Sequence, residues 1–239
     1  LGFAPEFEGS VPQPYRDALG PLAYNQSEVT AAAELFRGKA LKGHDAREAT
    51  LKSLDQRPYI LHFATHALAD SQRPLQARIF LEADSASGED GLLHAWEIYA
   101  QQWQSPLTVL SACQTGLGKV ESGEGVMSLA RAFQYAGSQQ VLTTLWQTDD
   151  QAGATLTGHF FEALAAEEAT HVALQRARQQ WLAKADPFKA HPFFWAGYVL
   201  IGDGAQVSSG GASIPWTWII VLLGTAGLGF IIWRLRRPL

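Results

Sequence analysis

The sequence predicts an α/β protein with a sheet of mostly parallel strands, helices on both faces of that sheet, and one transmembrane helix after it. Three observations favour this fold class. Short apolar runs alternate with helix-like segments of ten or more residues, which is the pattern of βαβ units. The run PLTVLSA, residues 106–112, is almost continuously apolar, as in a central parallel strand. Residues 214–233 carry no charge over a length that spans a bilayer.

The individual elements follow one another between residues 27 and 202. The first helix is expected to begin at Ser27, an N-cap residue, and to end at Gly38. Further helices are expected at residues 45–54, 125–135, 150–165 and 170–184. Strands are expected at residues 59–64, 78–83, 106–112, 140–146 and 197–202.

Two flanking segments are expected to be linkers. Residues 1–18 are rich in proline, glutamate and glycine, and the chain begins at Leu1 with its only methionine at Met127. We therefore expect residues 1–18 to connect the domain to a region upstream. Residues 204–213, GAQVSSGGAS, have the composition of a flexible linker between the domain and the apolar segment.

Composition limits the functions that the chain can have. Its 239 residues are 47% hydrophobic, enough for one large core or for a domain with an appendage. The net charge is -5 and the basic residues are scattered, which argues against nucleic acid as a partner. One cysteine excludes an intramolecular disulfide and a thiolate-rich metal site. The glycine-rich GLGKV does not match a phosphate-binding loop, and we predict no metal and no cofactor.

The C-terminal region predicts a single-pass membrane protein. Residues 214–233 form the predicted transmembrane helix, and residues 234–239 form a basic tail with three arginines. Positively charged flanks stay in the cytoplasm, so the globular domain is expected on the periplasmic or exoplasmic side. The alternative is a cytoplasmic domain with a short translocated tail.

Two residues with catalytic chemistry follow two of the predicted strands. His66 comes just after the strand at 59–64, and Cys113 comes just after the strand at 106–112. Because neighbouring parallel strands end at the same edge of a sheet, a thiol and an imidazole would meet there, as in a nucleophile with its base. The alternatives are a cysteine of the core with a structural histidine, or a zinc site with His62, for which no fourth ligand is found. We expect His62 to be structural.

Three stretches resemble a known family: HFATHALAD, LSACQTGLGKVESGEGVMSLARAFQYAGSQQVLTTLWQTDD and HPFFWAGYVLIGD. They closely resemble the CHAT family of caspase-like cysteine peptidases, which are related to separase. The resemblance implies a caspase-like peptidase domain over residues 19–203, a catalytic dyad of His66 and Cys113, and hydrolysis of peptide bonds in a protein or peptide substrate. Members often carry helical repeats such as tetratricopeptides before this domain, so an upstream repeat domain is an expected partner.

The resemblance also implies the groups that bind the oxyanion. These are the backbone N–H groups of Ala67 and Cys113. Ala67 stands where the family usually has glycine. If that position requires a positive φ, alanine would strain it and the oxyanion hole would form less well.

Substrate preference is expected to depend on Asp149 and Asp150, in WQTDD. The resemblance places acidic residues there, near the pocket for the residue that precedes the cut, which predicts a preference for Lys or Arg. The alternative is that either aspartate caps the helix that follows. Two functions therefore remain open: a membrane-anchored cysteine endopeptidase, favoured by His66 and Cys113, and a non-catalytic scaffold that binds protein partners, favoured only by Ala67.

Overall fold

The computed structural model describes residues 1–6, 15, 19–54, 57–70, 72–111, 113–114 and 124–207, and at 113–114 and 124–126 it describes the backbone alone. The strands are β1 (Gly2–Ala4), β2 (Ala40–Lys42), β3 (Ile60–Phe63), β4 (His66–Leu68), β5 (Arg78–Phe80), β6 (Leu92–His94), β7 (Leu107–Leu110), β8 (Cys113–Gln114), β9 (Gln140–Thr144) and β10 (Tyr198–Ile201). The helices are α1 (Asn25–Leu35), α2 (Glu48–Lys52), α3 (Ala95–Tyr99), α4 (Glu124–Tyr135), α5 (Asp150–Ala165) and α6 (Thr170–Lys184).

A six-stranded sheet forms the centre of the domain, in the order β10-β9-β7-β3-β1-β2. Its strands are parallel except β10, which is antiparallel to β9. Residues of β3 and β7, in the middle of this order, are all buried. The prediction of a mixed α/β fold with a largely parallel sheet is confirmed.

Alternating side chains of the central sheet pack into two separate apolar clusters. Leu61 and Phe63 of β3 belong to a cluster with Phe133 of α4. Val109 of β7 belongs to another cluster, with Phe160 of α5. Because successive residues of a strand point to opposite faces, these clusters lie on the two faces of the sheet, and helices cover both.

Most predicted elements are present with small shifts at their ends. The helices predicted at 150–165 and 170–184 are α5 and α6, and the helix predicted at 125–135 is α4. The first helix begins earlier than expected, with Tyr24 rather than Ser27 at its N-cap. The helix predicted at 45–54 is confined to α2, Glu48–Lys52, after a short 3-10 turn at Gly43–Asp45.

The expectation of linkers is wrong at both ends for the residues that the structure describes there. Gly2–Ala4 form β1, which lies between β2 and β3, and the Phe3 ring stacks on Phe63 with centroids 5.3 Å apart. A three-residue strand is too short to show a periodic pattern, and tertiary pairing outweighs the composition of its neighbours. At the other end, the Ala205 carbonyl accepts a hydrogen bond from Gln140 Nε2 at 3.0 Å, so the linker does not begin at residue 204.

A second, four-stranded sheet has the order β6-β5-β4-β8. β5 corresponds to the strand predicted at 78–83, but it pairs antiparallel with β4 and β6 rather than joining the central sheet. β4 and β8 are parallel.

The predicted transmembrane helix, residues 214–233, and the predicted basic tail, residues 234–239, lie outside the described residues. Among the helices that the structure does describe, none combines the length and the apolarity needed to cross a bilayer.

Candidate active site

Backbone pairing places His66 beside Cys113. In the central sheet, Phe63 of β3 is paired with Leu110 of β7. Three residues further along each chain, His66 of β4 is paired with Cys113 of β8. The connection from β3 to β4 and the connection from β7 to β8 have the same number of residues. The register of the central sheet is therefore continued in the second sheet. Paired strands lie about 4.8 Å apart, so the two predicted catalytic residues are on adjacent backbones.

His66 is held by a main-chain carbonyl. Its side chain is buried, at 4% exposure, and Nε2 donates to the Gly20 carbonyl oxygen at 2.8 Å. A carbonyl can only accept, so the proton of the neutral ring sits on Nε2 and the lone pair on Nδ1. Burial lowers the pKa of His66, and the hydrogen bond to Gly20 partly opposes this. The ring is therefore mostly neutral at pH 7 and suited to accept a proton at Nδ1.

Gly20 is a site residue that sequence reasoning missed. It contributes its carbonyl oxygen and no side chain, and 46 residues separate it from His66. A Cβ built at Gly20 would meet no atom within 4 Å, so the position does not require glycine. Since every residue type offers a carbonyl, nothing in the sequence marks this one.

Ala67 lies in β4, paired with Ile79 on one side and with Gln114 on the other. The described residues other than glycine with positive φ are Arg37, Gln104 and Glu167, so Ala67 is not in the left-handed region. The strain expected for alanine at a position of positive φ is therefore absent. Alanine suits a strand position at least as well as glycine does.

The two aspartates of WQTDD have different contacts. Asp149 is exposed and caps α5, since its Oδ1 accepts from the Ala152 N–H at 2.9 Å. The helix-capping alternative thus describes Asp149. Asp150 is half-buried, and its Oδ2 accepts from the Tyr24 N–H at 3.1 Å. Burial raises the pKa of Asp150, against the hydrogen bonds from the backbone of Tyr24 and Ala23.

His62, the other histidine of HFATH, has a structural environment. Its Nε2 lies 2.8 Å from Glu28 Oε1 and 3.2 Å from Ser111 Oγ. Its ring centroid is 4.9 Å from that of Phe161. Both polar contacts use the same nitrogen, so they do not form a proton relay from Ser111 through the ring to Glu28. This arrangement agrees with the structural role predicted for His62.

Within the described part of the chain, one group of acidic side chains could hold a metal ion: Glu48, Glu89 and Glu97. A lysine occupies its centre instead. Lys52 Nζ lies 2.7 Å from Glu48, 2.6 Å from Glu89 and 2.6 Å from Glu97. Burial raises the pKa of Glu48 to about 7, although Lys52 lowers it. This cluster is an ion-pair network that joins α2 to the β5–β6 connection and to α3.

Comparison with known proteins identifies the family. The CHAT domain model matches residues 11–203. The chain belongs to the CHAT domain family. It is also similar to tetratricopeptide repeat protein 28 of Homo sapiens, with 26% identity over 221 residues, covering 80% of this chain. The Mus musculus protein of the same name is 25% identical over 221 residues. The chain spans 9% of the length of each of these relatives.

Proposed function

We propose that this CHAT domain is a cysteine endopeptidase in which Cys113 is the nucleophile and His66 is the general base. The observation that carries the proposal is the backbone pairing of His66 with Cys113. The buried hydrogen bond from His66 Nε2 to Gly20 supports it, because it leaves Nδ1 as the basic atom of the ring.

The proposed reaction is acyl transfer in two steps. Cys113 Sγ attacks the scissile carbonyl carbon while its proton passes to His66 Nδ1, which forms a tetrahedral oxyanion. The N–H groups of Ala67 and Cys113 are the proposed donors to that oxyanion. Collapse breaks the C–N bond, and the leaving amine takes the proton from His66. Water, deprotonated by His66, then hydrolyses the thioester and restores the thiol.

We further propose that the substrate carries Lys or Arg before the cut, with Asp149 as its partner. The Asp149 side chain is exposed beyond the end of β9, the strand next to β7, which leads towards Cys113. A charge-assisted hydrogen bond would favour a basic side chain over a neutral one of equal size. Asp150 suits this role less well, since its carboxylate accepts the Tyr24 N–H. Equal cleavage after neutral residues in a peptide library would remove this part of the proposal.

We also propose a membrane anchor after the domain and a repeat region before it. We propose that residues 214–233 anchor the protein in a membrane, with the basic tail in the cytoplasm and the domain on the other side. The names of the relatives support an upstream tetratricopeptide repeat region as partner. Protease added outside spheroplasts should digest an exported domain, whereas protection until lysis would reverse this topology.

The decisive experiment is labelling with a thiol-reactive peptide probe together with a cleavage assay. Cys113 is the only cysteine of the chain, so any label on the protein reports on it alone. Cys113→Ala should abolish cleavage and labelling, and His66→Ala should slow cleavage by a factor of about 10³ or more and slow labelling as well. Thermal unfolding of each variant checks that the fold survives. Cleavage by Cys113→Ala would contradict the proposal, and probe labelling without any turnover would support the non-catalytic scaffold instead.

A further inference from the structure

The first helix of the domain begins without a capping side chain of its own. Tyr24 is at the N-cap of α1, and its side chain makes no cap hydrogen bond. The Tyr24 N–H instead donates to Asp150 Oδ2 at 3.1 Å, and the two residues are 126 positions apart in the sequence. In a capping box, an acidic residue of the same helix accepts the N–H of the N-cap residue. Here an acidic residue of α5 takes that place.

Asp150 lies where two helices begin. It is the first residue of α5, and the backbone it contacts is the start of α1. The N-terminus of each helix carries partial positive charge, so both favour a carboxylate between them. The acidic side chains that act against its ionisation are Glu28 on α1 and its neighbour Asp149. A side chain without an acceptor oxygen at position 150 would leave the N–H of Tyr24 without this partner.

The backbone that leads into α1 contacts both His66 and Asp150. We define the rim segment as residues 20–24. At one end of it, the Gly20 carbonyl accepts from His66 Nε2. At its other end, the Tyr24 N–H donates to Asp150. Between the two ends, Pro21 restricts its own φ and the conformation of Gly20 before it. A change in the position of Tyr24 is therefore transmitted to Gly20 over a short stretch of chain in which Pro21 is restricted.

We propose that Asp150 is a positioning residue that holds His66 in its catalytic orientation through the rim segment. The inference rests on the proposed dyad of His66 and Cys113. It differs from the substrate-binding role predicted for Asp150, because the carboxylate acts on the backbone of the protein itself. Losing the carboxylate frees the start of α1 and the rim segment, and the Gly20 carbonyl then fixes the ring of His66 less well. Cys113 loses its base without any change in the residues of the dyad.

The test is the rate at which iodoacetamide alkylates Cys113 as a function of pH, in the full chain. A thiol next to a positioned imidazole is alkylated faster at neutral pH than an isolated thiol, by roughly tenfold when its apparent pKa falls from about 8.5 to about 7. His66→Ala should remove this excess, and Asp150→Ala should remove most of it. Asp150→Asn keeps one acceptor oxygen and should fall between Asp150→Ala and the wild type.

Asp186→Ala is the matched control. The Asp186 carboxylate also accepts two backbone N–H groups, from Phe188 and Lys189, but at an exposed turn after α6. This variant should keep the wild-type profile within about twofold. Far-UV circular dichroism and urea midpoints show whether each variant is folded. If Asp150→Ala does not fold, Asp150→Asn decides between the outcomes.

The outcomes separate this inference from the proposed function. A His66→Ala profile equal to that of the wild type would overturn the dyad itself. A slower His66→Ala together with wild-type profiles for the folded Asp150 variants would leave the dyad in place and overturn the positioning role. Slower alkylation in both His66→Ala and the Asp150 variants, with Asp186→Ala unchanged, is the result that we expect.

Discussion

The two sheets of the domain differ in the length of their strands and in the charged groups around them. In the central sheet, β3, β7 and β9 consist entirely of buried residues, and their apolar side chains pack against helices on both faces. In the second sheet, each strand has two or three residues, and a network of one lysine and three glutamates joins the neighbouring elements. The pairing of His66 with Cys113 belongs to the second sheet. The candidate site therefore lies on short strands that share the apolar cluster of the central sheet through Ala67, Ile79 and Leu93, with a charge network beside them.

The largest effect is expected from removing an aromatic ring of the central sheet. Phe3 is fully buried and stacks on Phe63. Phe3→Ala should lower the free energy of unfolding by about 3–4 kcal/mol, through lost burial and the cavity left behind. Urea denaturation measures this. Phe188→Ala is the control, because Phe188 is 74% exposed. Equal losses in the two variants would contradict the placement of β1 inside the sheet.

Removing the lysine tests the charge network beside the second sheet. Lys52→Met should cost about 3 kcal/mol of unfolding free energy, because it leaves the buried Glu48 close to two other carboxylates without a cation. Adding Glu48→Gln to this variant should restore part of the loss. Lys39→Met, at an exposed position, is the control in the same denaturation assay. A loss no larger than that of the control would show that the network contributes little.

The pH dependence of stability should also report on this charge network. Burial raises the pKa of Glu48 to about 7, so the folded protein binds this proton more tightly than the unfolded chain does. Stability from this group is present below the unfolded pKa near 4.5 and is lost as the pH rises towards 7, by roughly 3 kcal/mol.

The comparison of wild type with Glu48→Gln isolates this contribution. The difference in unfolding free energy between them should fall between pH 4.5 and 7 and stay constant above that range. Glu97 makes stability depend on pH in the opposite direction, because Lys52 and His94 lower its pKa against the effect of burial. Both proteins contain Glu97, so its contribution is removed when the two stabilities are subtracted. Parallel stability curves over this range would contradict the raised pKa.

A smaller effect is expected at Ala67. Because its φ is not positive, Ala67→Gly should relieve no strain and should not raise kcat. The variant should lose about 1.5 kcal/mol of stability, from added backbone freedom and one buried methyl group. Steady-state kinetics and urea midpoints measure the two quantities. A higher kcat with unchanged KM would show that alanine impairs the oxyanion hole after all.

The smallest effect is expected at the cap of α5. Asp149→Ala removes the acceptor for the Ala152 N–H and should cost about 1 kcal/mol. Glu162→Ala, on an exposed part of the same helix, should change stability by less than about 0.5 kcal/mol. If Asp149→Ala also loses the preference for Lys or Arg before the cut, the residue serves both the helix and the substrate.

The sequence predicted the long elements better than the short ones. β3, β7 and β9 were predicted because apolar runs of this length are typical of buried parallel strands. β1, β2, β4, β6 and β8 were missed, since two or three residues show no periodicity. The strand at Arg78–Phe80 was predicted, but local pattern does not indicate which sheet a strand joins.

In the candidate site, too, the sequence predicted some groups and missed others. Residue types and their places after strands 59–64 and 106–112 are enough to indicate His66 and Cys113 as a pair. The Gly20 carbonyl and the bond from Tyr24 to Asp150 could not be predicted, because a main-chain group has no residue-specific signature. Both contacts depend on which distant segments the folded chain brings together.

By itself, the sequence determined that the chain is an α/β protein, where its long helices and strands lie, and which thiol and imidazole are candidates for a dyad. These properties follow from hydrophobic periodicity and side-chain chemistry, which are local. Only the tertiary structure decided that β10 runs antiparallel, that residues 2–4 complete the central sheet, and that Lys52 fills the group of three glutamates. These arrangements depend on contacts between residues far apart in the chain, whose free energy is gained only when the whole domain is packed.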